Sequence, residues 1–248
     1  MNALETRSLC KSFGALTVAE RIDFALEPGA RHALIGPNGA GKTTFVNMLT
    51  GALAPSSGCI FLGGEDVTGM AQAKRVKRGI GRTFQINSLF RSLSVLDNVS
   101  LAIAERHGIA GRMWRAANSY QNIKAETMEL LSTLGLAEDA AQRISDLPYG
   151  KQRLVEIAIA LGMRPRVLLL DEPAAGVPSF ESHRILEVLA ALPSEIAILI
   201  IEHDMDLVFR FARRITVLAA GAVLMEGTPQ EIAADERVRQ VYLGEKRG

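Results

Sequence analysis

The chain is poor in cysteine, in aromatic residues and in long apolar runs, and it carries almost no excess charge of either sign. Its two cysteines, Cys10 and Cys59, have neither metal-ligand spacing nor the numbers of a disulfide framework, which suits a reducing cytosol. No apolar run reaches the roughly 18 residues of a membrane-spanning helix. The densest stretches, Val167 to Leu170 and Ile196 to Ile201, have the length of buried strands, so a soluble chain is expected. Met1 to Glu5 is followed by Arg7 and Lys11 with no apolar h-region, which is not the pattern of a signal peptide. Lys and Arg number 28 against 27 Asp and Glu, and this balance removes the bulk argument for nucleic acid or an anionic membrane as the main partner. What is present is ordinary globular composition, 48% hydrophobic and 22% charged over 248 residues, enough for a sizeable core.

No repeat, low-complexity segment or linker interrupts the chain. The apolar runs Arg31 to Ile35, Val167 to Leu170 and Ala197 to Ile201 are short, β-branched and flanked by turn residues. Runs of this kind, without alternation, read as strands covered on both faces and hence as a mainly parallel sheet. Segments with helical periodicity, such as Lys42 to Leu49 and Arg184 to Leu192, lie between them and indicate an α/β fold. The early part, Leu4 to Gly36, is broken at Phe13-Gly14 and Pro28-Gly29, which suggests an antiparallel flap beside the parallel core. The middle is rich in helical signals, with apolar residues at helical spacing over Thr127 to Leu134 and Lys151 to Leu161. The expected organisation is one domain with a core from residues 1–85 and 163–248 and a helical subdomain over about 86–162.

Gly36-Pro37-Asn38-Gly39-Ala40-Gly41-Lys42-Thr43 fits the phosphate-binding P-loop, between an expected strand and an expected helix. Its glycines let the backbone curl so that N–H groups face a β-phosphate, and the positive end of the following helix adds to the attraction. Lys42 would contact the β- and γ-phosphates, and the Thr43 hydroxyl would ligate Mg²⁺. Further on, Val167-Leu168-Leu169-Leu170-Asp171-Glu172 ends a buried strand in two carboxylates. Asp171, beside the P-loop, can hold Mg²⁺ through water. Glu172, one residue on and pointing elsewhere, can polarise an attacking water as general base.

Between these lies Leu147-Pro148-Tyr149-Gly150-Lys151-Gln152-Arg153, immediately before an apolar helix. With this segment the chain resembles the ABC (ATP-binding cassette) ATPases, whose signature usually reads Leu-Ser-Gly-Gly-Gln. The resemblance covers essentially the whole length. Arg82-Thr83-Phe84-Gln85 matches the Q-loop, and Ile201-Glu202-His203-Asp204 matches the switch histidine. The resemblance implies a P-loop NTPase fold of the ABC type, with ATP and Mg²⁺ as cofactors. ATP would lie against Phe13 and the run Gly36 to Thr44, namely Gly36, Pro37, Asn38, Gly39, Ala40, Gly41, Lys42, Thr43 and Thr44. Glu172, His203 and Gln85 would be catalytic, and Thr43, Gln85 and Asp171 would serve the metal. Two cassettes would pack head to tail, so that Pro148, Tyr149, Gly150, Lys151 and Gln152 meet the partner's ATP, Gly150 through its backbone N–H. The chain departs from the family's pattern at Pro148, which replaces the signature serine, and at Pro178, which closes Ala174-Ala175-Gly176-Val177-Pro178 where an aspartate is often found. Hydrolysis is expected nonetheless.

Several details resemble one branch, the ATPases of branched-chain amino acid importers. They are Arg82-Thr83-Phe84-Gln85, the Pro-Tyr-Gly-Lys-Gln signature, Glu172-Pro173-Ala174-Ala175-Gly176, Ile201-Glu202-His203-Asp204-Met205 and the tail from Glu226 to Gly244. Ala104 to Tyr120 adds sequence after the Q-loop, as in the longer of the branch's two cassettes. Thr228, Pro229 and Glu231 form a capping box with proline at the first helical position.

The resemblance implies a second cassette in a homodimer or heterodimer, two membrane permease subunits and, indirectly, a periplasmic solute-binding protein, with no nucleic acid. It places the chain at the cytoplasmic face of a bacterial inner membrane. The stretch Asn87 to Leu96, with Leu89, Phe90, Leu93 and Val95, is expected to receive a permease helix or to pack inside the helical subdomain. The basic run Lys74, Arg75, Lys77 and Arg78 is expected on a solvated helix face, with lipid headgroups as the other reading. The role of Trp114 is not readable. DNA-repair ATPases share the motifs but carry a coiled coil or zinc modules between P-loop and signature, and this interval has no sustained heptads and no cysteine pairs. A non-hydrolysing regulatory subunit is the other alternative; Pro148 favours it, while Lys42, Gln85, Asp171, Glu172 and His203 oppose it.

Overall fold

The computed structural model describes residues 1–83, 89–109 and 117–244. Two sheets organise the chain. One is antiparallel, in the order β2-β1-β4-β5, built from β1 (Leu4–Phe13), β2 (Leu16–Leu26), β4 (Ser57–Leu62) and β5 (Glu65–Asp66). This is the expected flap, with a difference. Arg31–Ile35 (β3) lies in the other sheet, as its apolar run implied, and Ser57–Leu62 joins the flap against β1. The second sheet has the order β10-β9-β3-β8-β7-β6. Its members are β3, β6 (Ile80–Arg82), β7 (Val167–Asp171), β8 (Ala197–Ile201), β9 (Arg214–Ala219) and β10 (Ala222–Gly227). Every pairing in it is parallel except that of β10 with β9.

β3 and β8 are buried at every position, and β7 at every position but its terminal Asp171. Apolar side chains therefore cover both faces of the central strands, which is why their sequences do not alternate. One face carries Leu34, Leu169 and Leu199 into a core shared with Phe45, Met48 and the flap. The other carries Ile35, Leu170 and Ile200 into a core shared with the long helices. Buried His32 on β3 meets the Thr216 hydroxyl on β9 at 2.8 Å, and burial pushes its imidazole down to about 4. It stays neutral at physiological pH.

α1 (Lys42–Thr50) follows the P-loop, and α2 (Gln72–Arg78) leads into β6. The basic run on α2 divides: Lys74, Lys77 and Arg78 are exposed, but Arg75 is 1% exposed. That corrects the expectation of a solvated face. Its guanidinium donates to the carbonyls of Met48, Leu49, Thr68 and Met70 at 2.7 to 2.9 Å. A cation there satisfies the last carbonyls of α1 and complements the negative end of its dipole.

Between β6 and β7 the described residues form α3 (Val95–Arg106), α4 (Ala117–Thr133) and α5 (Tyr149–Gly162). α6 (Ser179–Ala190) and α7 (Met205–Phe211) return to the sheet. α8 (Pro229–Ala234) and α9 (Glu236–Gly244) follow β10. α8 starts with the expected capping box: the Thr228 hydroxyl accepts from the Glu231 N–H, and the Glu231 carboxylate accepts from the Thr228 N–H at 2.7 Å. In the stretch expected to receive a permease helix, Leu89 and Val95 are core residues, whereas Phe90 and Leu93 are 59% and 36% exposed. Asn87 and Ser88 lie outside the described residues, as does Trp114.

Candidate active site

β3 delivers the chain into the P-loop, and α1 takes it away. Gly41 immediately precedes α1 with φ 98°, a left-handed conformation that strains a residue with a Cβ. A Cβ there would also stand 2.6 Å from the Val18 carbonyl oxygen of β2. That close approach brings the flap against the P-loop. At Gly39, φ is 77° and a Cβ would meet nothing within 4 Å, so the loop is open on that side. The first bond within α1 runs from Phe45 N–H to Gly41 C=O. Lys42, Thr43 and Thr44 form the first turn of this helix, and a helix N-terminus is the arrangement whose backbone N–H groups bind phosphate. The Lys42 ammonium donates to the carbonyls of Gly36 and Pro37 at 2.5 and 2.9 Å. Val18, the loop from Asn38 to Thr44, Asp171, Glu172 and Ile201 line one cleft. Phe13 sits at the tip of the β1–β2 hairpin, 51% exposed, with the Lys11 ammonium 5.1 Å from its ring centre.

Parallel pairing brings the ends of β3, β7 and β8 to the same edge of the sheet. Asp171 ends β7 in that cleft. Glu172 then turns at φ 47°, and its N–H donates to Ile201 C=O at 2.9 Å. A non-glycine residue in this region is strained, and strain of this kind is held by surrounding structure at functional turns. The Glu172 side chain is 49% exposed and lines the same clefts as Asp171. His203 follows β8, and its Nδ1 stands 3.5 Å from Glu172 Oε1. The structure thus brings Lys42, Thr43, Asp171, Glu172 and His203 to one edge of the sheet. Gln85 lies outside the described residues.

Three groups escaped the sequence analysis. Glu202 is 2% exposed and accepts from Ala174 N–H at 3.2 Å and from His203 N–H at 3.3 Å. Burial pushes its carboxyl upward, against the opposing pull of these two bonds. It ties the loop after Glu172 to the loop of His203. Arg82 and Asn47 are the other two. The Arg82 guanidinium donates to Asp171 Oδ2 at 3.0 Å and to Asn47 Oδ1 at 2.7 Å. All three residues line a second cleft with Thr43, Thr83, Arg153 and Glu172. The signal for Asn47 is its spacing, one turn after Thr43 on the same helix face.

Thr43 and Asp171 border both clefts, and a hydroxyl with a carboxylate is the oxygen donor set that suits a hard divalent cation such as Mg²⁺. The residues present fit that ion.

The signature residues divide. Pro148 and Tyr149 are exposed, Gly150 is buried, and a Cβ on Gly150 would collide with the Glu181 carboxylate. Lys151 donates to Asp139 Oδ1 at 2.7 Å. Gln152 turns inward, 6% exposed, and its amide donates to Leu147 C=O at 2.8 Å. Its side chain supports the loop and does not face outward. Proline at 148 provides no side-chain oxygen to cap α5.

The family described as ABC transporter matches residues 19–175. A second, described as branched-chain amino acid ATP-binding cassette transporter, matches residues 222–247. Among curated relatives, the chain is 38% identical to the high-affinity branched-chain amino acid transport ATP-binding protein BraF of Pseudomonas aeruginosa, over 98% of each chain. It is 36% identical to the corresponding protein LivG of Escherichia coli K12, again over 98% of each. Among solved structures, an ATP-binding cassette of an ABC transporter in its ADP conformation superposes with a TM-score of 0.85 at 28% identity, covering 98% of this chain and 99% of the other.

Proposed function

The chain belongs to the ABC transporter family, and from that premise we propose that it powers an importer of branched-chain amino acids or of related small solutes, such as other amino acids, amides or urea. As a cassette of that family it binds ATP and couples its hydrolysis to transport. The observation that carries the choice of solute is the match over residues 222–247, because it falls outside the P-loop-to-Glu172 region that all such cassettes share.

The proposed chemistry follows from the cleft. The amides of the P-loop and Lys42 hold the triphosphate, and Phe13 stacks on the adenine. Thr43, Asp171 and Gln85 would hold Mg²⁺, which would supply positive charge against the phosphates. Glu172 accepts a proton from the attacking water, from a half-exposed carboxylate on the same cleft as Asp171. His203 contacts the γ-phosphate, with Glu202 fixing its backbone. A second cassette covers this face head to tail, bringing Gly150 N–H and its neighbours to the opposite ATP. Tyr149 and Phe180, 41% and 73% exposed near the signature, are apolar surface for that partner to cover.

The remaining partners are two permease subunits and, through them, a periplasmic solute-binding protein, which places the chain at the cytoplasmic face of the inner membrane. The proposed attachment is through the permeases; no helix among the described residues is long and apolar enough to cross a membrane. Exposed Phe90 and Leu93, beside the hollow lined by Leu89, Val76, Ile159 and Met163, are the proposed seat of a permease helix. Cysteines at Ser88 or Arg91 should crosslink to a permease, and no crosslink at either position would count against that seat.

Uptake of radiolabelled leucine tests the whole proposal. In cells lacking the chain, uptake should be lost and restored by wild type but not by Glu172→Gln. Unchanged leucine uptake, followed by loss of another solute from a panel, would overturn the assignment of solute.

A further inference from the structure

Arg82 ends β6 and reaches across to the last residue of β7. One edge of its guanidinium is fixed on Asn47 of α1 at 2.7 Å and the other on Asp171 Oδ2 at 3.0 Å. The pair is sheltered, the arginine side chain being 18% exposed and the aspartate 31%. It is therefore screened less than a surface ion pair. A guanidinium keeps its charge at every pH a protein survives. The other arginine bordering this cleft, Arg153, is held by Glu156 at 2.9 Å. A fixed monovalent cation thus sits on the carboxylate assigned above to a divalent one, and two cations cannot share that oxygen without repulsion.

We propose that Arg82 is a tethered counter-ion of Asp171, neutralising the carboxylate while no divalent cation is bound and yielding it when Mg²⁺ enters with ATP. This makes Arg82 a positioning residue that sets how strongly ATP binding depends on the metal. The inference rests on Asp171 being the metal-side carboxylate. Two consequences follow from the charges alone. Without metal, a triphosphate approaching bare Asp171 meets like-charge repulsion, and Arg82 removes it. With metal, the same arginine competes with the incoming ion. Deleting its charge weakens metal-free binding and leaves metal-loaded binding unchanged or tighter.

The test is the ratio of two dissociation constants, measured on the purified full-length chain with a fluorescent non-hydrolysable ATP analogue in EDTA and in excess Mg²⁺. Arg82→Gln should widen the EDTA-to-Mg²⁺ ratio by about tenfold, the size of one charge-assisted hydrogen bond. Arg82→Lys, which keeps the charge, should restore most of the wild-type ratio, an outcome a merely structural role does not give. Asp171→Asn should narrow the ratio. If Asp171→Asn narrows the ratio and Arg82→Gln leaves it unchanged, the inference is wrong while Asp171 keeps its role. If Asp171→Asn leaves the ratio unchanged, the role of Asp171 falls first and the inference with it. Should Arg82→Gln not fold, Asn47→Ala decides: releasing the other edge of the guanidinium should widen the ratio by a smaller factor, and an unchanged ratio would overturn the inference.

Discussion

The nucleotide-facing core and the helical stretch from Val95 to Gly162 are held by different forces. The core strands β3, β7 and β8 are mostly apolar, buried on both faces, and joined by parallel ladders. The helical stretch has an apolar interior too, but ionic clasps secure its joints. Glu126 on α4 accepts from Arg106 on α3 at 2.6 and 2.7 Å and from Arg164, after α5, at 2.7 Å. Arg153 and Glu156 form a pair inside α5, and Lys151 clasps Asp139. Apolar ladders fix the cradle's geometry because they have no alternative partner in water. Ionic clasps are directional, and they can exchange one charged or polar partner for another.

Removing one clasp should break this contrast most visibly. The Arg153–Glu156 pair is sheltered, with side chains 11% and 3% exposed, so Arg153→Met leaves an uncompensated buried carboxylate. The expected loss is about 3–5 kcal/mol in chemical denaturation at neutral pH. Burial already pushes the Glu156 carboxyl upward despite Arg153. A group whose folded pKa is raised favours folding most below its unfolded value, and that advantage is lost as pH rises through the folded pKa. The deficit of Arg153→Met relative to wild type should therefore shrink as pH falls into the acid range, and adding Glu156→Gln should recover much of it. A deficit that is independent of pH would show that packing, not charge, holds the helix.

The cradle should break through its backbone instead. Gly41→Ala puts a Cβ 2.6 Å from the Val18 carbonyl oxygen at φ 98°. The expected cost is about 2–4 kcal/mol with loss of nucleotide binding, read by melting and by analogue titration.

How much of this was legible divides differently. The P-loop and the Asp171–Glu172 pair could be read because their geometry is local: a strand, a turn and a helix in consecutive residues. Strands β7 and β8 could be read because double burial writes itself as an apolar run, and β3 by the three apolar residues that lead into the P-loop. Side-chain contacts between residues far apart in sequence could not, in either region. Arg82 meets partners 35 and 89 residues away, and nothing in Arg82-Thr83-Phe84-Gln85 says where a guanidinium will turn. Arg75 looked like one of several solvated cations until four carbonyls from α1 and the turn before α2 closed around it. Gln152 matches a motif letter, yet its amide is committed to Leu147 inside the loop.

A smaller effect sharpens the comparison at the α3–α4 joint. Partial burial would raise the Glu126 carboxyl, but hydrogen bonds from Arg106 and His107 and the charges of Arg106 and Arg164 outweigh it and bring it down from 4.5 to about 2. Its contribution is thus complete above pH 4.5 and is lost as pH falls toward about 2. Glu126→Gln should cost about 1–2 kcal/mol at pH 7, discounted for its partial exposure, and the difference from wild type should vanish in acid. Hydrogen exchange should report the loosening in α3 and α4 while β3, β7 and β8 keep their protection.

The proposed base that activates water is Glu172, in a cradle that would hold ATP whether or not that water reacts. Phosphate release and ATP binding should be measured side by side for wild type and Glu172→Gln in the assembled transporter. Release should fall by about 10²–10⁴-fold while affinity for ATP stays within about twofold. A Glu172→Gln transporter that still releases phosphate at the wild-type rate would contradict the account.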